Sequence, residues 1–237
     1  MRSAPRAADD AGTSMLNRYA RAFFTRVLTP TAQFLLRRGV GPDTVTVVGT
    51  LGVVVSALAL YPRGEFFWGT VAVTSFIFSD LLDGTMARLA GRVSRWGGFL
   101  DATMDRFGDA AIFGALAYYF AGVRDRWMFV LALICLVSGA ITSYARAKAE
   151  SLGYECSVGV VERGERLVGS LVATGLAGLG VPFIQAIALW GLAIGSTVTV
   201  VQRILHVRKQ AMAVGPAGPV SPESPAAPGE PIAEASE

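Results

Sequence analysis

Histidine and cysteine are nearly absent from this sequence of 237 residues. The one histidine is His206, and the two cysteines, Cys135 and Cys156, have a spacing typical of neither a disulfide framework nor a metal site. Charged residues make up only 16% of the chain. A small secreted disulfide-bonded protein and a zinc protein are therefore both disfavoured, and we expect no nucleic-acid partner.

Long apolar runs dominate the rest of the sequence. Hydrophobic residues make up 52% of the chain, and the mean hydropathy is +0.48. Several runs reach the ~20 residues that a helix needs to cross a bilayer. The sequence therefore predicts an all-α integral membrane protein. The first apolar run comes too late and is too long for a cleavable signal peptide.

Six transmembrane helices are predicted, and they are expected at about 43–61, 66–89, 97–121, 127–149, 158–179 and 182–206. Residues 15–38 alternate Arg with aromatic and aliphatic residues, which predicts an amphipathic helix in the membrane interface, or else a solvated helix packed on the bundle. We expect a membrane domain over 15–210. Residues 1–14 and the Pro- and Glu-rich residues 211–237 are predicted to be disordered.

The distribution of Lys and Arg predicts the orientation in the membrane. With six spans, both termini lie on the same side. Only Arg63, Arg124 and Arg126 of the 21 Lys and Arg residues fall on the other side. Because positive charge is retained in the cytoplasm, the termini are predicted to be cytoplasmic, in a bacterial cell membrane.

Four carboxylates stand beside some of the most apolar sequence of the chain, at Asp80, Asp83, Asp101 and Asp105. The first two have i,i+3 spacing and the last two i,i+4 spacing, so each pair lies on one helix face. Such charges repel one another unless cations or protons neutralise them. Hard divalent ions such as Mg²⁺ or Mn²⁺ prefer carboxylate oxygens, and two such ions form the clamp used in phosphoryl chemistry.

The surroundings of these carboxylates fit a large anionic substrate. Gly84 and Gly97 leave space beside them, and Arg88 could hold a phosphate bidentately. Two other interpretations remain open. One is an internal salt-bridge network with Arg88 and Arg106, and the other is a proton or ion pathway through the membrane.

The stretch from Asp80 to Asp105 has the form D-x2-D-G-x2-A-R-x8-G-x3-D-x3-D. This pattern resembles the signature of the CDP-alcohol phosphatidyltransferases, which displace CMP from a CDP-linked lipid with an alcohol. The resemblance implies that the four aspartates bind two metal ions and that Asp105 is the general base. It also implies contacts of the nucleotide or its diphosphate with Gly84, Arg88 and Ser94, where family members often have Thr.

The same resemblance implies that the segment before the first span borders the cytidine; its residues are Asp43, Thr44, Val45 and Thr46. It also suggests a homodimer.

A second set of charges bears on the acceptor alcohol. Cations end span 4, open span 5 and recur near the end of span 6, which favours an anionic acceptor. These segments are similar to those of actinobacterial phosphatidylinositol phosphate synthases, although Arg146 and Lys148 are exchanged relative to that pattern. Carried over, the acceptor phosphate would be bound by Ser143, Arg146, Arg166 and Arg203.

The resulting hypothesis is a transfer of the phosphatidyl group from CDP-diacylglycerol to 1D-myo-inositol 3-phosphate, with Mg²⁺ or Mn²⁺ bound. The near alternative uses glycerol 3-phosphate as the acceptor, because both acceptors are phosphate monoesters. Two further classes remain open. A transporter using the intramembrane carboxylates would need a water path to the other face, and a scaffold would need none of the four aspartates.

Overall fold

The computed structural model describes residues 29–91 and 94–214, except for the side chains of Asp80 and Leu81. The predictions for residues 1–14, for the first part of the amphipathic helix and for most of the tail lie outside these residues. Residues 29–37 are helical and form α1. The other helices are α2 (Pro42–Leu60), α3 (Phe66–Leu89), α4 (Arg95–Gly122), α5 (Arg126–Ser151), α6 (Arg163–Gly178) and α7 (Ile184–Val214).

Proline and side-chain N-caps mark the starts of several of these helices. Pro42 occupies the first turn of α2, where its missing N–H costs nothing. The side chain of Ser94 accepts a hydrogen bond from the backbone N–H of Gly97 at 2.9 Å and caps α4. The side chain of Asp125 caps α5 in the same way, at 3.1 Å from the Met128 N–H. Such caps satisfy backbone donors that have no partner within the helix.

Two boundaries differ from the sequence prediction. The fifth predicted span was expected from residue 158, but α6 begins at Arg163, because Glu162 and Glu165 form a capping box there. The last helix continues to Val214, beyond the predicted end at 206 and into the segment expected to be a disordered tail.

The described residues form an all-helical protein in which consecutive helices alternate in direction. Four segments are long and apolar enough to cross a membrane: Pro42–Arg63, Phe66–Leu89, Arg126–Ser151 and Ile184–Ala213. The chain is therefore a membrane protein. The other two predicted spans correspond to α4, which carries several charges in its first half, and to α6, which has 16 residues. They stay predictions.

The core lies along α4. Ile112, Phe113 and Leu116 are almost fully buried, and Tyr61 of the α2–α3 turn and Leu131 of α5 join the same cluster. The outer faces are also apolar, with exposed residues such as Trp68, Val137 and Ile194. Apolar side chains both inside and outside are typical of a bundle whose solvent is lipid.

Alternating directions bring one end of each helix from α2 to α7 to the same end of the bundle. The charged segments described below lie at this end. Gln210 of α7 donates to the carbonyl of Glu155 at 2.6 Å and accepts from its N–H at 3.0 Å. These bonds attach the last helix to the link between α5 and α6.

Candidate active site

The four aspartates of the sequence pattern lie at two neighbouring helix ends, the end of α3 and the start of α4. Asp83 lies on α3, is buried, and accepts a short hydrogen bond from the hydroxyl of Thr46 on α2. Asp80 lies one turn earlier on α3. Asp101 and Asp105 lie one turn apart on α4, Asp101 exposed and Asp105 half-buried. The α2, α3 and α4 ends therefore carry the predicted carboxylates together.

A cavity of about 240 Å³ opens between these three helix ends. Its lining residues are Pro42, Asp43, Thr46, Asp83, Gly84, Ala87, Ser94, Gly97, Gly98 and Asp101. Four residues predicted to contact the nucleotide are among them, while Thr44, Val45 and Arg88 are outside this lining. Arg88 is exposed, and its guanidinium donates to the hydroxyl of Thr85 at 3.2 Å.

Two lining residues, Gly97 and Ser94, also shape the start of α4. A Cβ on Gly97 would lie 3.3 Å from the Ser94 hydroxyl and 3.9 Å from a carboxylate oxygen of Asp43. Glycine at 97 therefore leaves room for the Ser94 cap, while the distance to Asp43 is an ordinary van der Waals contact. The Ser94 side chain, predicted from the family pattern to contact the nucleotide, caps α4 at the rim of the cavity.

A second cavity, of about 760 Å³, lies on the other side of Asp101. It is lined from α4, α5, α6 and α7 by Asp101, Ala102, Asp105, Arg106, Ala140, Thr142, Ser143, Tyr144, Arg146, Ala147, Glu150, Glu162, Arg163, Arg166 and Arg203. All four residues predicted to bind the acceptor phosphate line it. Five arginines against four carboxylates in this lining make the cavity suitable for an anion.

The predicted phosphate ligands also have partners within the protein. Ser143 accepts a short hydrogen bond from Arg106, and Arg146 pairs with Glu150 at 2.8 Å. Arg203 is buried, and it donates to the carbonyls of Thr142 at 2.7 Å and of Val158 at 2.9 Å. Arg203 therefore joins α7 to α5 and to the link before α6, in addition to lining the cavity.

An ion-pair network connects Asp105, the predicted general base, to arginines of the larger cavity. Arg163 lies 2.7 Å from one carboxylate oxygen of Asp105 and 3.4 Å from Asp109. Arg166 lies 2.7 Å from Asp109, and Arg106 lies 3.8 Å from both aspartates. Neither the role of Asp109 nor the position of Arg163 between Asp105 and Asp109 was predicted from the sequence. The signal for Asp109 was present, since it continues the i,i+4 series from Asp101 through Asp105.

The donor chemistry of the aspartates fits a hard divalent cation. Carboxylate oxygens supply the predicted set, and Asp83 is buried with the Thr46 hydroxyl orienting it. Among the side chains that the structure describes, no three carboxylate, histidine or cysteine groups converge as a ready metal site. The Asp80 side chain is outside that set, so the four-ligand arrangement stays a prediction.

Comparisons with known proteins identify sequence relatives of this chain. Residues 40–201 match the sequence model of a family described as CDP-alcohol phosphatidyltransferase. The chain is 58% identical over 208 residues to a phosphatidylinositol phosphate synthase of Streptomyces avermitilis, covering 84% of this chain and 85% of that one. It is 42% identical over 200 residues to the protein of that name from Mycolicibacterium smegmatis, covering 83% and 90%.

Solved structures resemble the whole bundle. The Mycobacterium tuberculosis phosphatidylinositol phosphate synthase with CDP-DAG bound superposes with a TM-score of 0.75 at 41% identity, covering 77% of this chain and 94% of that one. A structure of the same enzyme with manganese and citrate superposes with a TM-score of 0.74 at 41% identity, covering 76% and 88%.

Proposed function

This chain belongs to the CDP-alcohol phosphatidyltransferase family, and we propose that it transfers the phosphatidyl group of CDP-diacylglycerol to 1D-myo-inositol 3-phosphate. The products are phosphatidylinositol phosphate and CMP. The observation that carries this proposal is the pair of cavities that share Asp101. The smaller one is lined by Asp83 and Asp101 of the family pattern, and the larger one is lined by arginines that suit a phosphate monoester.

The smaller cavity is proposed to receive the nucleotide. Asp43 and Thr46 border it from α2, and the glycines at 84 and 97 leave room beside the carboxylates. At the membrane surface, the cytidine diphosphate can stay near water while the acyl chains stay in hydrocarbon. This placement is supported by the resemblance to enzymes of the family, one of which has been solved with CDP-DAG bound.

Asp80, Asp83, Asp101 and Asp105 are proposed to hold two Mg²⁺ or Mn²⁺ ions. When bound, such ions neutralise the diphosphate and stabilise the CMP leaving group. A related structure contains manganese.

Asp105 is proposed to take the proton from the attacking hydroxyl of the acceptor. That oxygen then forms a bond to the phosphorus that carries the diacylglycerol, and the bond from this phosphorus to the oxygen of CMP breaks. Asp105 releases its proton to water in the larger cavity. Arg166 and Arg203 hold the acceptor's own phosphate, which keeps the hydroxyl at the end of the acceptor that faces Asp101 and Asp105.

We further propose six membrane spans, with α4 and α6 completing the four long apolar helices, and an N-terminal amphipathic helix over 15–38. We also propose that the site end, with both termini, lies at the cytoplasmic face of the plasma membrane, and the positive charges near that end support this orientation. Exposed aromatic residues on α4 and α5, such as Phe107, Tyr118 and Trp127, are proposed to pack against a second copy.

The acceptor is tested with purified protein, Mg²⁺ or Mn²⁺, CDP-diacylglycerol and four acceptors, scored by CMP release. The acceptors are 1D-myo-inositol 3-phosphate, glycerol 3-phosphate, myo-inositol and glycerol. We expect the highest kcat/KM with inositol phosphate and little release with the two uncharged alcohols. A preference for glycerol 3-phosphate would replace the acceptor but keep the chemistry, and release with none of them would contradict the proposal.

A further inference from the structure

Asp109 is a buried carboxylate that lies outside the family pattern and binds three arginines. Its side chain is on α4, one turn beyond Asp105, and the residue is only 6% exposed. One carboxylate oxygen accepts a hydrogen bond from Arg166 at 2.7 Å, and the other accepts one from Arg163 at 3.4 Å. Arg106 approaches to 3.8 Å.

These arginines face the larger cavity, and Asp109 stands behind them. Arg106, Arg163 and Arg166 all line that cavity, and Asp109 does not; with Arg163 it lines a small void toward α2. Asp109 therefore contacts the cations on the side away from the expected acceptor. A carboxylate in that position orients guanidinium groups without occupying the space of the ligand.

Two buried donors of this cluster lack a protein partner. Within the described ranges, the Nε atoms of Arg106 and Arg166 are buried without a hydrogen-bond acceptor. Such orphaned donors are uncommon in proteins. Both belong to arginines that Asp109 holds, and a phosphate oxygen is an acceptor of the right charge.

The cluster is also held from the opposite helix. A Cβ on Gly139 of α5 would lie 2.6 Å from the guanidinium carbon of Arg166, so the guanidinium packs directly on the α5 backbone. Arg166 is only 1% exposed. The ion pair with Asp109 and the close packing on Gly139 therefore fix the position of the Arg166 guanidinium.

We propose that Asp109 is a positioning residue for recognition of the acceptor phosphate. It holds Arg163 and Arg166 so that their remaining N–H groups point into the larger cavity, and it neutralises part of the charge of the buried Arg166. The inference rests on the proposed function, since it concerns the same cavity. It assigns to Asp109 a role in binding the acceptor and none in binding CDP-diacylglycerol.

The test compares Asp109→Asn with Asp109→Glu and with a matched control, Asp125→Asn, which keeps the α5 cap at the other end of the bundle. Steady-state kinetics give KM for each substrate and kcat. We expect Asp109→Asn to raise KM for inositol phosphate about tenfold or more, with KM for CDP-diacylglycerol changed less than about threefold. Asp109→Glu is expected to restore part of the loss, and Asp125→Asn is expected to behave as wild type. Unchanged constants in Asp109→Asn, or an equal rise in both, would overturn the proposal.

A second variant keeps the proposal testable if Asp109→Asn does not fold. Gly139→Ala forces the Arg166 guanidinium to move without changing any charge, and Gly114→Ala on α4 is its control, because a Cβ there meets nothing within 4 Å. We expect Gly139→Ala alone to raise KM for the acceptor selectively. An acceptor KM equal to that of wild type in Gly139→Ala would overturn the proposal.

A binding measurement separates this inference from the proposed function. Inorganic phosphate should raise the thermal unfolding midpoint of the wild type and of Asp125→Asn but not of Asp109→Asn, whichever acceptor supports turnover. If wild type turns over only glycerol 3-phosphate, the acceptor assignment fails while the phosphate shift still tests Asp109. An equal shift in Asp109→Asn and wild type would contradict the role of Asp109 alone.

Discussion

The two cavities that meet at Asp101 are built in different ways. The smaller one is lined by three short stretches of chain, at the start of α2, the end of α3 and the start of α4. The larger one draws side chains from α4, α5, α6 and α7. The smaller cavity therefore depends on local spacing and helix caps, whereas the larger cavity depends on ion pairs between helices far apart in sequence.

The largest loss of activity is expected at Asp105, the proposed general base. Asp105→Ala removes the proposed general base and one metal ligand, so CMP release is expected to fall at least ~10³-fold. Circular dichroism should show unchanged helicity. Retained turnover in a folded variant would remove the base assignment and leave the proton of the acceptor hydroxyl to another group.

Arg166→Ala should separate the two cavities kinetically. Loss of a buried cation that faces the larger cavity is expected to raise KM for the acceptor ~10–100-fold and to leave KM for CDP-diacylglycerol within about threefold. Arg166→Lys is the matched control that keeps the charge but not the planar fork, and it should fall in between. Equal increases in both KM values would place Arg166 outside the acceptor pocket.

Thr46→Val is the corresponding test for the smaller cavity. It removes the hydroxyl that donates to Asp83 while keeping the side-chain volume nearly constant. A charge-assisted hydrogen bond is worth about 1.5–3 kcal/mol, so kcat/KM for CDP-diacylglycerol is expected to fall ~10–100-fold. Thr46→Ser, which keeps the hydroxyl, should be close to wild type. A selective rise in acceptor KM would contradict the division between the cavities.

The smallest effect is expected at Ser94. Because its side chain caps α4, Ser94→Ala is expected to cost about 1 kcal/mol of stability and to lower the unfolding midpoint by a few degrees. Ser94→Asp should keep the cap and the stability. If Ser94→Ala instead lowers kcat strongly at unchanged stability, the hydroxyl acts on the nucleotide, as the family pattern first suggested.

The same contrast explains what could be predicted from the sequence. Most helices lie within a few residues of their predicted bounds, because hydropathy and Pro, Ser and Asp signals are local. The spacing of the aspartates predicted which of them share a helix face, and Asp83 and Asp101 do line the smaller cavity, while their role as metal ligands stays a prediction. The late start of α6 could also be recognised in retrospect, since Glu162 and Glu165 have the spacing of a capping box.

The larger cavity could be predicted only as a surplus of positive charge. The positions of its side chains depend on which arginine pairs with which carboxylate. Asp109, for example, pairs with Arg166, 57 residues away in sequence. Arg203 was predicted as a phosphate ligand, yet two of its donors are directed to backbone carbonyls of other segments. Such pairings follow from packing of the helices, which no local pattern encodes.

The most direct test of the central claim is a crystal structure of the protein with Mn²⁺ and CDP-diacylglycerol, with manganese located by its anomalous scattering. We predict two manganese peaks among Asp80, Asp83, Asp101 and Asp105, the cytidine diphosphate in the smaller cavity, and the arginine-lined cavity left open for the acceptor. Manganese peaks elsewhere, or the nucleotide seated against Arg166 and Arg203, would contradict the account.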